Sequence, residues 1–298
     1  LSVMELTPED VGCAGSVLGA TGAEPIRRIQ EQHLKNDPHG IPLVFMMDVI
    51  HGYRTIFPIP LAIACSWNTE YARICAELSA AEATAAGLHV TFAPMMDLVR
   101  DPRWGRVMES AGEDPYLNSL FAQSYVYGYQ GENPDELSHD NRHMAACIKH
   151  IAAYGAAESG RDYNTAEVSD YTLREFYLPA YKAAVEAGVM LAMTSFNTIN
   201  GIPSTMNKKL LRDILRNEWG FQGTIISDWT SLQELIAHGA ASDKRDAAQK
   251  ALQGGLEIEM MSNCILQNGE ELVRKGVVSE ELLDDAVRHV LELKEKLG

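Results

Sequence analysis

Asp228 closes the apolar run Gly223-Thr224-Ile225-Ile226 within the tripeptide Ser227-Asp228-Trp229, so a carboxylate stands at the C-terminal end of a predicted buried strand. In parallel α/β folds that end of the sheet holds the chemistry. Four more polar clusters follow apolar runs in the same way: Asp48 after Leu43 to Met47, Asp97 and Arg106 after Val90 to Ala93, Lys149-His150 after Ala145 to Ile148, and Thr194-Ser195 after Val189 to Met193. Carboxylates, cations and hydroxyls gathered on one rim suit a polyhydroxylated ligand, because each of its hydroxyls donates and accepts and must be satisfied once it leaves water.

Each cluster alone has an ordinary structural explanation. Asp228 could cap a helix beginning near Ser231, Lys149-His150 could form a salt bridge or a core polar pair, and Asp48 could sit in a turn beside a structural His51. The segment from Asp97 to Pro115 is the densest charged stretch, yet Trp104, Pro102, Gly105 and Gly112 interrupt it. That mixture predicts a long ordered loop held by internal ion pairs, with Arg106 free to reach a ligand. Five such clusters at five predicted strand ends together point to an active site.

The elements that must position them alternate between short apolar runs and longer amphipathic stretches. Strands are predicted at Gly12-Leu18, Leu43-Asp48, His89-Ala93, Ala145-Lys149, Val189-Thr194, Gly223-Ser227 and Leu256-Met260. Helices are predicted near Glu24-Lys35, Thr69-Gly87, Leu117-Gln130, Ser169-Ala187, Lys208-Trp219, Ser231-His238 and Ala247-Gly254, with a capped amphipathic helix from Ser279 to Leu291. Seven or eight βα units in 298 residues fit one α/β domain of the TIM-type (β/α)8 barrel kind, whose first and last units are expected to be the least regular. The polar stretch Gly131 to Asp140 reads as an exposed loop.

A formal charge of −16 excludes a nucleic-acid or anionic-membrane surface as the expected partner. Five scattered cysteines, with no CxxC pair, point to reduced and mostly buried thiols and lean the localisation toward the cytoplasm; a removed leader would instead place the protein in the periplasm or outside the cell. No metal spacing and no phosphate or dinucleotide fingerprint occurs, so no metal and no cofactor is expected.

Several motifs then recur together: Asp48-Val49-Ile50-His51-Gly52-Tyr53-Arg54, Ala93-Pro94-Met95-Met96-Asp97, Arg100 to Arg106, Gly112-Glu113-Asp114-Pro115, Lys149-His150 with Ala153-Tyr154-Gly155, Asn200-Gly201, and Ser227-Asp228-Trp229. In this order they resemble glycoside hydrolase family 3, in its bacterial β-glucosidase branch, over nearly the whole of residues 1–298. The resemblance implies retaining hydrolysis of terminal β-D-glucosyl residues, with Asp228 as the nucleophile that forms a covalent glycosyl intermediate. It implies that Asp48, Arg106, Lys149 and His150 hold the sugar, that Arg161 and Arg54 stand where further arginines contact sugar or nucleophile, and that Phe196 replaces a common Tyr as an aromatic wall. Lys149, His150 and Arg106 are expected to keep Asp228 charged.

A retaining hydrolase also needs an acid/base carboxyl about 5 Å from the nucleophile. In two-domain relatives a C-terminal α/β sandwich domain supplies it, and that domain is not found in this sequence. Glu158 and Asp162 would be weak substitutes. The expectation is a catalytic barrel impaired in isolation, exposing an apolar interdomain surface that promotes self-association. The alternatives are a sugar-binding barrel without turnover and a β-xylosidase, against which Asp at position 48 weighs by analogy with the family.

Overall fold

The computed structural model describes residues 2–3, 14–133, 137 and 141–298. Its elements run β1 (Ser2–Val3), β2 (Ser16–Leu18), α1 (Ala23–Asn36), β3 (Val44–Met47), α2 (Pro60–Ala64), α3 (Thr69–Ala85), β4 (Val90–Thr91), α4 (Pro115–Gln130) and β5 (Ala145–Ile151). The chain continues with α5 (Asp170–Thr172), α6 (Pro179–Glu186), β6 (Leu191–Thr194), the pair β7 (Thr198–Ile199) and β8 (Ile202–Pro203), and β9 (Thr224–Ile226). Four helices close it: α7 (Ser231–Ala237), α8 (Lys244–Gly254), α9 (Cys264–Arg274) and α10 (Glu280–Leu297).

Among the described residues, seven strands pair in the order β1-β2-β3-β4-β5-β6-β9, all parallel. A parallel bridge from Ile226 to Ile258 extends the sheet past β9. Every residue of β5 is buried, as expected where side chains pack on both faces of a parallel sheet. Alternate residues serve two apolar clusters. Phe45, Ile148, Ala192 and Ile225 pack against the surrounding helices, while Met46, Cys147, Leu191 and Ile226 point the other way and share a cluster with Leu18 and Ile258. Leu18 lies on β2, one strand in from one end of the order, and Ile258 at the bridge beyond β9 at the other, so the sheet curls around this second cluster.

Small residues set how closely the helices approach one another. The α3 face is Ala72, Ala76, Ala80 and Ala83, and a Cβ added to Gly128 of α4 would fall 2.5 Å from the Arg73 carbonyl oxygen. The β7–β8 hairpin turns through Asn200 and Gly201, both at positive φ, as a two-residue turn of this hand requires.

Several expectations change. The helix predicted over Ser169-Ala187 is split into α5, a π-helical turn at Leu173–Tyr177 and α6. Pro179 has no N–H to continue the ladder and opens the new segment instead, while Leu178 N–H reaches back five residues to the Leu173 carbonyl. The helix predicted at Lys208-Trp219 is π-helical over Lys209–Glu218. Helices α2 and α9 have no counterpart among the predicted elements. Leu256-Met260 contributes a bridge at Ile258 rather than a ladder, and Gly12-Leu18 is a strand at Ser16–Leu18. Gly12, Cys13 and most of Gly131 to Asp140 lie partly or wholly outside the described residues. Cys147 and Cys264 are buried free thiols, whereas Cys65 is exposed and Cys75 intermediate. No described helix is long and apolar enough to cross a membrane.

Candidate active site

Asp228 follows β9 directly, and its surroundings are unlike those of a helix cap. Helix α7 is entered through Thr230 in the left-handed region, with no side chain capping it. Asp228 Oδ1 accepts the neighbouring Trp229 N–H at 2.6 Å. Oδ2 is buried and accepts no hydrogen bond from the described residues; His150 Nε2 lies 3.3 Å from it but in an orientation too skewed to donate. A buried oxygen left without a donor costs free energy, which marks Oδ2 as aimed at something the described chain does not provide.

Strand β5 delivers the two groups nearest to it. The buried Lys149 Nζ meets Asp48 Oδ1 at 2.7 Å, and the Asp48 side chain is 54% exposed, so this pair is solvated on one side. The His150 ring is buried, and both its Nδ1 and its backbone N–H contact Asp97 Oδ2, at 2.8 and 2.9 Å. Tyr181 of α6 supports this arrangement from behind: its hydroxyl lies 2.8 Å from Asp97 Oδ1 and 2.7 Å from the His150 carbonyl.

The long loop after β4 brings in Arg106, forked onto Glu109 at 2.8 and 3.1 Å with its guanidinium 5.7 Å above the Tyr154 ring. It is therefore an anchored cation rather than the free one expected from the sequence. Tyr154 is the hub of an aromatic wall, with Trp104 at 5.0 Å, His150 at 5.3 Å and Phe196 at 5.7 Å between ring centres. Tyr163 closes on Phe196 at 4.6 Å. A flat apolar wall beside polar groups is what a sugar ring needs, since its C–H faces are apolar and its edges are not.

Charge and burial compete here. Burial pushes Asp228 up to about 6, although Lys149, the Trp229 N–H and Arg106 each draw it back down. Lys149 and Arg106 therefore pull toward the charged form, the direction expected of them, while desolvation outweighs them and the neutral His150 adds no charge. Asp97 is likewise raised to about 6 by burial. Burial, then Arg106 and Lys149, push His150 well below its usual range and keep the imidazole neutral. Arg106 is held above its usual range, because the fork to Glu109 more than offsets its burial.

The structure thus gathers Asp228, Lys149, His150, Asp48, Arg106 and Phe196. Arg161 is exposed and forms no side-chain hydrogen bond or ion pair among the described residues. Arg54 is exposed too, its backbone N–H held by Glu82 at 2.8 Å, and His51 is spent on the Phe57 carbonyl at 3.1 Å. The Thr194-Ser195 cluster is buried in a hydroxyl network with Thr205 and Ser204, so it braces the rim. Asp162 Oδ1 accepts Trp104 Nε1–H at 2.9 Å, and Glu158 is exposed. Sequence reasoning misses Tyr181, which reads as one more core position of its helix stripe. It also misses Glu234 on α7, which burial and the nearby Asp228 raise to about 7. No group of three His, Cys, Asp or Glu among the described residues is placed to hold a metal.

A curled parallel α/β sheet with a carboxylate, cations and an aromatic wall at its strand ends defines a class of small-molecule enzyme domains. Residues 11–293 match the model described as the glycosyl hydrolase family 3 N terminal domain, and the chain belongs to that family. It is 42% identical over 287 residues to a periplasmic beta-glucosidase of Salmonella typhimurium, covering 96% of this chain and 37% of that protein. It is 35% identical to a putative beta-xylosidase of Formosa agariphila, over 91% of this chain and 36% of that one. A crystal structure of beta-glucosidase from Listeria innocua in complex with glucose superposes with a TM-score of 0.96 at 54% identity, covering 99% of this chain and 41% of that one. The chain therefore spans about two fifths of the length of these relatives.

Proposed function

We propose that this chain is the nucleophile-bearing (β/α)8 barrel of a retaining β-glucosidase. The observation behind the reading is Asp228 Oδ2, buried at a strand end with no hydrogen bond among the described residues. A carboxylate oxygen in that state is a nucleophile waiting for an anomeric carbon. Lys149, His150, Asp48 and Arg106 then hold the sugar hydroxyls, Phe196 and Tyr154 wall the ring, and the exposed Arg161 makes a further contact with sugar. The curl that joins Leu18 to Ile258 in one cluster supports a closed barrel. The share of each relative that is covered supports a further domain that supplies the acid/base carboxyl. The name of the Salmonella relative favours the periplasm over the cytoplasm.

A dinitrophenyl β-glucoside needs little acid assistance, so mixing it with the chain is expected to give a stoichiometric burst of phenolate followed by slow turnover. The burst rate is expected to fall as pH drops through about 6, because protonating Asp228 removes the attacking lone pair. A burst rate unchanged down to about pH 4 would contradict the assignment. Saturable glucose binding with no burst at any pH would instead favour a sugar-binding barrel. A β-xylosidase is the second reading, motivated by the Formosa relative; the larger burst rate constant between glucoside and xyloside decides it.

The remaining domain needs a surface to meet. Trp67, Tyr71 and Tyr116 are 77%, 53% and 74% exposed at the starts of α3 and α4, bare aromatic surface of the kind a partner domain covers. Without that cover the chain is expected to self-associate, and light scattering that shows a monomer at high concentration would remove this part of the proposal.

A further inference from the structure

The Tyr181 hydroxyl has one proton and two close oxygen neighbours. The His150 carbonyl, 2.7 Å away, can only accept, so the proton goes there. Asp97 Oδ1 is then left 2.8 Å from the phenol oxygen. If Asp97 were ionised, that contact would set lone pair against lone pair. If Oδ1 bears a proton, it donates to the phenol oxygen and every contact in the group is satisfied. On its other oxygen, Asp97 Oδ2 faces two nitrogens, the His150 N–H and Nδ1, and works as a pure acceptor.

We propose that Asp97 is a positioning residue held as a neutral acid, which fixes His150 in its Nδ1–H tautomer and leaves Nε2 as a bare acceptor beside Asp228. The surroundings agree. The Asp97 side chain is fully buried, and burial outweighs the His150 N–H, the Tyr181 hydroxyl, the Arg106 charge and the Tyr154 N–H, which all draw it down, to leave it raised to about 6; the proton on Oδ1 follows from the two contacts of the Tyr181 hydroxyl. The other ionisable groups facing His150 are Arg106, Lys149, Glu109, Asp48 and Asp228, and the two cations oppose a third positive charge on the ring.

The consequence concerns how the sugar is read, and this step rests on the proposed glucosidase function. With Nε2 and Asp228 Oδ2 3.3 Å apart and both lacking a proton, the site holds two acceptors side by side with no proton between them. A sugar hydroxyl that donates to Nε2 relieves that repulsion. His150 thus recognises a hydroxyl by the proton it gives, not by the lone pairs it offers.

Nitrogen-15 NMR of the chain, labelled at histidine, tests the tautomer without any sugar. The expected spectrum shows His150 Nδ1 protonated and Nε2 unprotonated from about pH 6 to 8. Asp97→Asn has nearly the same shape as a neutral acid and, like it, offers a donor on one branch and a carbonyl acceptor on the other, so it is expected to keep that tautomer and to weaken glucose binding less than about threefold. Asp97→Ala is expected to let the two tautomers mix and to weaken glucose by about tenfold or more. A protonated Nε2 in the wild-type spectrum, or Asp97→Asn behaving like Asp97→Ala while its circular dichroism is unchanged, overturns the proposal. Absence of glucose binding by a wild-type chain with the expected tautomer overturns the glucosidase reading and leaves the Asp97 assignment standing.

Discussion

Asp228→Ala is expected to abolish the aryl-glucoside burst, lowering its rate by about 10⁴-fold or more, while leaving the fold intact. The loss is large because Asp48, Asp97 and Asp162 are committed elsewhere and cannot replace it at the end of β9: Asp48 is tied to Lys149, Asp97 is enclosed behind His150, and Asp162 is bonded to Trp104. Retention of the fold follows from the sign of the proton affinity. Burial raises Asp228 to about 6 in the folded chain, above an ordinary carboxylate, so the ionised group opposes folding at neutral pH and this opposition fades as pH falls through 6. Removing it deletes one hydrogen bond, to Trp229 N–H, together with an unfavourable buried charge. Thermal unfolding at pH 7 should therefore show a midpoint no lower than that of the wild type. A variant that keeps its burst, or one that loses it only because it unfolds, contradicts the role assigned to Asp228.

The largest effect on stability is expected at Glu257. Its Oε1 sits 2.6 Å from Arg216 and 2.7 Å from His289 Nδ1, and its Oε2 accepts the Ile225 N–H at 2.7 Å. All three side chains are largely shielded from water. Glu257→Ala strands a buried guanidinium and a strand N–H at once, and breaking a buried pair in this way costs about 3–5 kcal/mol. Glu257→Gln can still serve Ile225 and is expected to cost less. Urea unfolding measures both. Ile225, which Glu257 holds, lies about 10 Å along the chain from Asp228 at the rise of a strand, and none of the groups Glu257 contacts touches Asp228, so residual folded Glu257→Ala should keep its burst rate. A change in unfolding free energy below about 1 kcal/mol would show that the cluster is dispensable.

How much of this is legible in the sequence follows from what each residue needs. A strand end is announced by an apolar run that stops at a charge, so Asp48, Lys149, His150 and Asp228 can be placed from the order of residue types alone. The same rule misplaces Thr194-Ser195, because a hydroxyl at a strand end can be satisfied by other hydroxyls inside the core, and spacing does not distinguish the two outcomes. Arg106 stands out in its charged loop, but its fork to Glu109 does not, since the pairing depends on how the loop turns. Pro179 in the middle of a helical stripe is a visible signal that the predicted helix breaks there. The π-helical run at Lys209–Glu218 leaves no such mark. Tyr181 and Glu234 are invisible as site residues because an aromatic or a Glu at a helical position has a simpler explanation, and only the folded chain shows what each one faces. The parallel α/β order is legible from alternation alone, whereas β1 and the reduction of Leu256-Met260 to a bridge at Ile258 depend on pairing that no local pattern specifies.

If Asp228 forms a bond to the anomeric carbon of a glucosyl unit, that bond can be trapped and weighed. The most direct measurement is mass spectrometry of the chain after incubation with a 2-deoxy-2-fluoro β-glucoside bearing a good leaving group, followed by proteolysis to locate the modification. The electron-withdrawing fluorine slows both formation and hydrolysis of the intermediate, and the good leaving group restores only the first of these, so the adduct accumulates. One added fluoroglucosyl unit is expected, on the peptide that contains Asp228, and none in Asp228→Ala. An adduct on a different carboxylate, or no adduct in a chain that binds glucose, would contradict the assignment of Asp228 as the nucleophile.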